Sequence, residues 1–166
     1  TSGLLVIARN NYAHTTISQM FKDRKMQKTY WAVVKGHPEK EGTIELAIMR
    51  HPVYRNKMTH VQTKGKLSTK QANARDAVSH YKVLEDFDNS SLVEVKPVTG
   101  RTHQIRVHFS GIGHPLLADK LYGQQHKDMP RQALHAKGIE FEYEGEKFKF
   151  EKEPPKDFMR LLEKLK

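Results

Sequence analysis

The densest chemistry in the chain lies between Arg101 and His108, where Arg101, His103, Gln104, Arg106 and His108 crowd cations and hydrogen-bond donors into one short stretch. Gly100, Gly111, Gly113, Gly123 and Pro115 punctuate the surrounding segment 97–123, a mixture that shapes a site rather than a core. A guanidinium holds a carboxylate or phosphate in a fixed, often bidentate geometry, and Gly100 supplies a tight turn to aim Arg101. On residue type alone, a structural ion pair and a catalytic role are equally open for Arg101. His103, His108 and His114 invite a metal reading. Their spacing does not put two imidazoles on one helical face, no acidic residue lies among them, and the chain has no cysteine, so no metal is assigned. Packing, hydrogen bonding or contact with a polyanion are the roles left to them. Gly-x-Ser-x-Gly and Gly-x-x-x-x-Gly-Lys patterns are both missing, so serine-hydrolase and nucleotide-hydrolase chemistry finds no support.

Charge points the same way. The 166 residues carry 29 Lys and Arg against 19 Asp and Glu, a net charge of +10 that favours a polyanionic partner. Arg50, Arg55, Lys57, Lys64, Lys66, Lys70 and Arg75 follow one another with no acidic residue between them, whereas Glu140–Glu153 mixes both signs. Cations without counter-charges repel one another and gain most from phosphate, although a merely solvated loop is the plainer reading. Zero cysteines exclude disulfides and thiolate chemistry and fit a reducing compartment. No apolar run approaches membrane-spanning length. The expectation is a single domain, monomeric and cytoplasmic, or organellar in a eukaryote.

Elements must position these residues. Thr99 predicts a helix cap, with Arg101 and Thr102 in the first turn, Ile105, Phe109 and Ile112 about one turn apart and Gly111 as a stop; the alternation of Ile105, Val107 and Phe109 is the competing strand signal. Leu4–Ala8 reads as a short strand buried on both faces, and Asn10 or Asn11 as the cap of a helix through Lys25. Lys28–Gly36 predicts a strand with Tyr30, Ala32 and Val34 on one face and Thr29, Trp31 and Val33 on the other. By pattern alone Tyr30 is a core aromatic. Further strands are expected at 42–48, 77–84 and 91–96, a loop or hairpin over 50–75, a hairpin around Glu144-Gly145, and a closing helix carrying Phe158, Leu161, Leu162 and Leu165. Consecutive strands outnumber helices, which predicts an α+β fold with a mainly antiparallel mixed sheet.

Five ordered motifs then resemble one family. Thr1-Ser-Gly-Leu-Leu-Val-Ile-Ala8, Lys28-Thr-Tyr-Trp-Ala-Val-Val-Lys-Gly36, Gly100-Arg-Thr-His-Gln-Ile-Arg-Val-His108 through Tyr122-Gly123, Leu134-His-Ala136 and Pro155-x-Asp-Phe158 are similar, along the whole chain, to the RluA-type pseudouridine synthases of ribosomal or transfer RNA. The resemblance implies the pseudouridine synthase catalytic fold, no cofactor or metal, structured RNA as partner, and base flipping to reach the uridine. It implies that Tyr30 stacks on the uracil and is the candidate base, and that Arg101 pairs with the nucleophilic aspartate and keeps it ionised. It also places Leu134 and Ile105 at the base pocket and Arg50, His51, Arg55, Lys57, His103 and Arg106 among the RNA contacts. In the family that aspartate belongs to a His-Arg-Leu-Asp motif three residues before Thr-Ser-Gly. Here Thr1 is the first residue. The expectation is therefore an N-terminally truncated catalytic domain over 1–166, inactive as it stands. A non-catalytic RNA-binding protein or RNA-folding chaperone on the same fold is the alternative. A DNA-binding module is poorer, because no helix-turn-helix or zinc-finger pattern occurs.

Overall fold

Alternation of β-branched and aromatic residues makes Gln27–Lys35 (β2) the central strand, with Ala32, Val33 and Val34 wholly enclosed. In this computed structural model, which describes residues 1–61 and 73–166, β2 pairs antiparallel with Ser90–Pro97 (β7) on one side and Leu134–Tyr143 (β8) on the other. Val78–Phe87 (β6) follows β7, and Glu41–Glu45 (β3) follows β6. At the other edge β8 carries both Ser2–Gly3 (β1), in parallel, and Glu146–Glu151 (β9), antiparallel. The result is the α+β, mainly antiparallel mixed sheet that the sequence predicts.

Helices cover both faces. Ala32 and Val34, with Val93 and Val95 of β7, pack under Ile105 and Phe109 of Gln104–Gly111 (α2). Val33 and Leu92, one residue out of phase, pack against Phe158, Leu161 and Leu162 of Lys156–Leu165 (α3). Asn11–Lys22 (α1) is capped as predicted by the Asn10 carboxamide, which accepts from the Ala13 N–H at 2.8 Å. The β8–β9 turn places Glu144 at φ 52° and Gly145 at φ 81°, the doubly left-handed geometry that matches strand twist.

Three expectations need correction. Leu4–Ala8 is not a strand: Leu5 and Ile7 are 81% and 75% exposed, while Leu4 and Val6 lean on Met20, Met26 and Ile139. The reason is competition for one edge. The Leu4 N–H makes the last bond to β8, at Ala136, and from Gly138 onward β9 occupies that edge. Nor is 42–48 one strand. The chain leaves the main sheet at Leu46, and Ala47–Arg50 (β4) pairs with Met58–Val61 (β5) as a separate hairpin, which fulfils the hairpin reading over the described part of 50–75. Lys64, Lys66 and Lys70 lie outside the described residues. Finally, Thr99 does not cap α2. The helix starts later, behind His103 in left-handed backbone at φ 57°, because the Thr99 hydroxyl accepts from the Val78 N–H and donates to Gln104 Oε1.

Candidate active site

The start of α2 faces the exposed end of β2 across a cleft of about 920 Å³, and Tyr30, Arg101, Ile105 and Leu134 all contribute to its walls. Tyr30 reaches it from β2 at a ladder irregularity, where Thr29 pairs with Gly138 but Tyr30 pairs with Ala136, skipping Lys137. Such bulges re-aim side chains beside sites. Ile105 and Leu134 are nearly buried and pack with Tyr30 in one apolar cluster, so the phenol ring has an apolar surround. Burial pushes its hydroxyl above the ordinary phenol value.

Arg101 is set by a buried polar network. Its N–H donates to Gln104 Oε1 at 2.9 Å, and its Nε–H donates to the Asp76 carbonyl at 3.1 Å. Gln104 in turn donates through Nε2 to the Val78 carbonyl and to Ser79 Oγ, at 3.0 and 2.9 Å. His108 completes the chain: its Nδ1 lies 3.0 Å from Ser79 Oγ and its Nε2 lies 3.1 Å from the Leu46 carbonyl. The carbonyl can only accept, so Nε2 carries the proton and Nδ1 receives the Ser79 hydroxyl. Burial holds His108 neutral, with its pKa lowered to about 4. Two side chains and a strand end thus fix the backbone from which Arg101 projects, and its terminal amines meet no acceptor among the described residues.

The opposite wall is tied to β8. Gly3 sits at φ 100° against Ala136, and an added Cβ would lie 2.2 Å from the Ala136 carbonyl oxygen, so only glycine fits. Ser2 Oγ lies 3.0 Å from His135 Nδ1 and accepts from Arg131 at 3.1 Å, while Arg131 is held by both oxygens of Asp157. Lys28, on the same strand and two residues from Tyr30, also lines the cleft, with Nζ 3.4 Å from the Thr99 carbonyl; burial lowers its pKa.

The remaining sequence candidates divide. Arg106 lines the cleft but commits Nε and Nη2 to Asp119, each at 2.7 Å, and Asp119 is fully buried. Burial raises the Asp119 carboxyl, and Arg106 with the Leu121 and Tyr122 amides outweighs it, so the group stays ionised below its ordinary value. His103 lines the cleft too, lowered by burial and then by Arg106. Arg50, His51, Arg55 and Lys57 sit on the β4–β5 hairpin: Arg50 Nη1 donates to the Arg55 carbonyl, and His51 Nδ1 accepts from the Val53 and Tyr54 amides. Exposed Tyr54 lies among them, 5.6 Å from Lys57 Nζ. His103, His108 and His114 share no partner, and His114 donates to the Lys35 carbonyl. Among the described residues no three His, Asp or Glu converge as metal ligands.

Sequence reasoning passed over Lys28 and Asp119. Period-two alternation puts Lys28 on the Tyr30 face. Asp119 is the lone acid between residues 97 and 123, a signal for pairing with one of the two arginines there.

A family described as RNA pseudouridylate synthase matches residues 1–111. The chain belongs to that family. Among its relatives are proteins named ribosomal large subunit pseudouridine synthase D: that of Zymomonas mobilis is 38% identical, the match covering 99% of this chain and 53% of the relative. That of Pseudomonas aeruginosa is 40% identical over 100% of this chain and 54% of its own length. The chain therefore spans about half the length of the curated relatives it matches. The solved structure of human RNA pseudouridylate synthase domain containing 1 superposes with a TM-score of 0.74 at 32% identity, covering 89% of this chain and 62% of that one.

Proposed function

We propose that the protein bearing this chain isomerises a uridine to pseudouridine in structured RNA, ribosomal or transfer, as a cytoplasmic monomer without metal or cofactor. The observation that carries the reading is the joint presence of Tyr30 and Arg101 in one cleft with an apolar lining of Ile105 and Leu134. The nucleophile is assigned to an aspartate that is not among these residues; what supports this is that Thr1, Ser2 and Gly3, pinned to β8, line the same cleft.

The carboxylate displaces uracil from C1′, the N1–C1′ bond breaks, and the detached base turns to present C5. C1′ then bonds to C5, and the carboxylate is released. Arg101 serves the first step by holding the carboxylate ionised and aimed. Tyr30 stacks on the uracil and relays the C5 proton: its oxygen takes that proton as the hydroxyl passes its own to solvent, N1 is protonated from solvent, and the loss at C5 restores ring conjugation. Access requires flipping the base at a cost of a few kcal/mol, met by phosphate contacts from Arg50, Arg55 and Lys57, with His51, His103 and Arg106 beside the RNA.

Tritium release from C5-labelled uridine in bulk RNA, without added metal, tests the reading on the chain extended upstream of Thr1. Release by that protein, lost in Tyr30→Phe or Arg101→Ala, is the expected result. Full turnover by Tyr30→Phe removes the tyrosine from the base role, and RNA binding with no release assigns the fold to a non-catalytic binder.

A further inference from the structure

Tyr122 joins two parts of the molecule that the proposed reaction uses separately. Its hydroxyl oxygen accepts from the Met58 N–H at 2.8 Å, at the first residue of β5, where the tip of the basic hairpin joins its ladder. The same oxygen lies 2.8 Å from His103 Nδ1, two residues beyond Arg101. With one lone pair facing Met58, the hydroxyl can donate its proton to Nδ1 or accept from Nδ1–H, so it links to the imidazole in either ring tautomer.

Both ends of this link are constrained. His103 occupies left-handed backbone, which costs a non-glycine residue on the order of 1 kcal/mol and persists only when its surroundings hold it. The phenol holds it twice, by the hydrogen bond and by an edge-on ring contact at 5.6 Å. Tyr122 is itself fixed: the Asp119 carboxylate accepts from its backbone N–H at 3.2 Å, and the Arg106 guanidinium lies 4.9 Å from its ring centroid. At the far end, Met58 pairs with Arg50, and the His51 N–H donates to the Lys57 carbonyl at 3.0 Å, so the tip carrying Arg50, Arg55 and Lys57 moves with Met58. A displacement of the hairpin tip passes through one oxygen atom to the turn that launches α2 and aims Arg101.

We infer that Tyr122 is a positioning residue, its hydroxyl coupling RNA engagement on the Arg50–Lys57 hairpin to the placement of Arg101. The inference rests on the proposed reaction, since it gives that hairpin its RNA and Arg101 its carboxylate. RNA seated on the tip tightens the turn, so the reactive geometry is completed by substrate rather than preformed.

The test is a double-mutant cycle in the upstream-extended protein, reading RNA affinity and the single-turnover rate at saturating RNA as separate quantities. Arg55→Ala is expected to weaken affinity and also to lower the saturated rate. Tyr122→Phe keeps the ring under Arg106, and is expected to lower the saturated rate about tenfold while leaving affinity within twofold. In the Tyr122→Phe background Arg55→Ala should still weaken affinity but leave the rate where it was. Rate effects that simply multiply overturn the coupling, as does a Tyr122→Phe variant that changes only thermal stability. A second variant, His103→Asn, keeps a side chain suited to left-handed backbone and cuts the link from the other end, so it should abolish the same rate coupling even where Tyr122→Phe fails to fold. A readout free of activity is the ¹⁵N shift of the His103 ring on adding a structured RNA. It should move in the wild type and stay put in Tyr122→Phe, and an unmoved wild-type ring sinks the inference. Absence of pseudouridine with that shift intact would refute the reaction and leave the coupling standing.

Discussion

Residues 134–165 hold their shape chiefly by apolar burial, with Phe158 and Leu161 wholly enclosed behind β2, whereas residues 99–123 add to the buried Ile105 and Phe109 a set of hydrogen bonds among buried polar groups, Gln104, His108 and Asp119. The first region uses ideal turn geometry at Glu144-Gly145. The second spends a left-handed histidine at the head of its helix. Apolar packing is non-directional and tolerates small shifts, while a chain of hydrogen bonds fixes angles as well as positions. The region that must aim Arg101 is built from the directional kind.

The contrast is sharpest where substitutions separate activity from stability. Arg101→Ala should lower pseudouridine formation in the upstream-extended protein by at least about a thousandfold, on the order of 4 kcal/mol of barrier, with the melting temperature nearly unchanged. A variant retaining a tenth of the rate would break the distinction. Phe158→Ala should do the reverse, costing about 3–4 kcal/mol in urea unfolding while the folded fraction keeps its rate constant.

His108 gives the polar region a pH signature. Its folded pKa, about 4, lies below the unfolded value near 6.5, so the unfolded chain binds the extra proton first as pH falls. Stability owed to the neutral ring is complete above about pH 6.5 and is lost toward pH 4, by roughly 3 kcal/mol. Urea midpoints at pH 7.5 and 4.5 measure this, and His108→Gln should flatten the difference. The smallest effect belongs to the regular region. Gly145→Ala meets no neighbour within 4 Å, so only its φ of 81° is penalised, by about 1 kcal/mol.

The same division governs how much could be read from residues alone. Strand β2, its two faces, the Asn10 cap and the β8–β9 turn were legible because period-two alternation, capping and turn chemistry act over a few residues. The start of α2 was not. Thr99 has the right type for a cap, but its hydroxyl is claimed by Val78, 21 positions away, and no local rule foresees that competition. Leu4–Ala8 failed for a similar reason, since its apolar composition is real but β9 already holds the edge it would need. Tyr30 and Arg101 were singled out by motif, and the structure sets both on one cleft. Arg106, on the same short stretch as Arg101 and equally cationic, is turned to Asp119, an acid 13 positions further on.

That last pairing has a consequence for how the chain can change. Asp119 is sealed from solvent with its charge matched by a single planar guanidinium, so altering either member alone strands the other. In a randomised library selected for folding, positions 106 and 119 should be recovered jointly or not at all, behaving as one inherited unit although each residue is read separately along the chain.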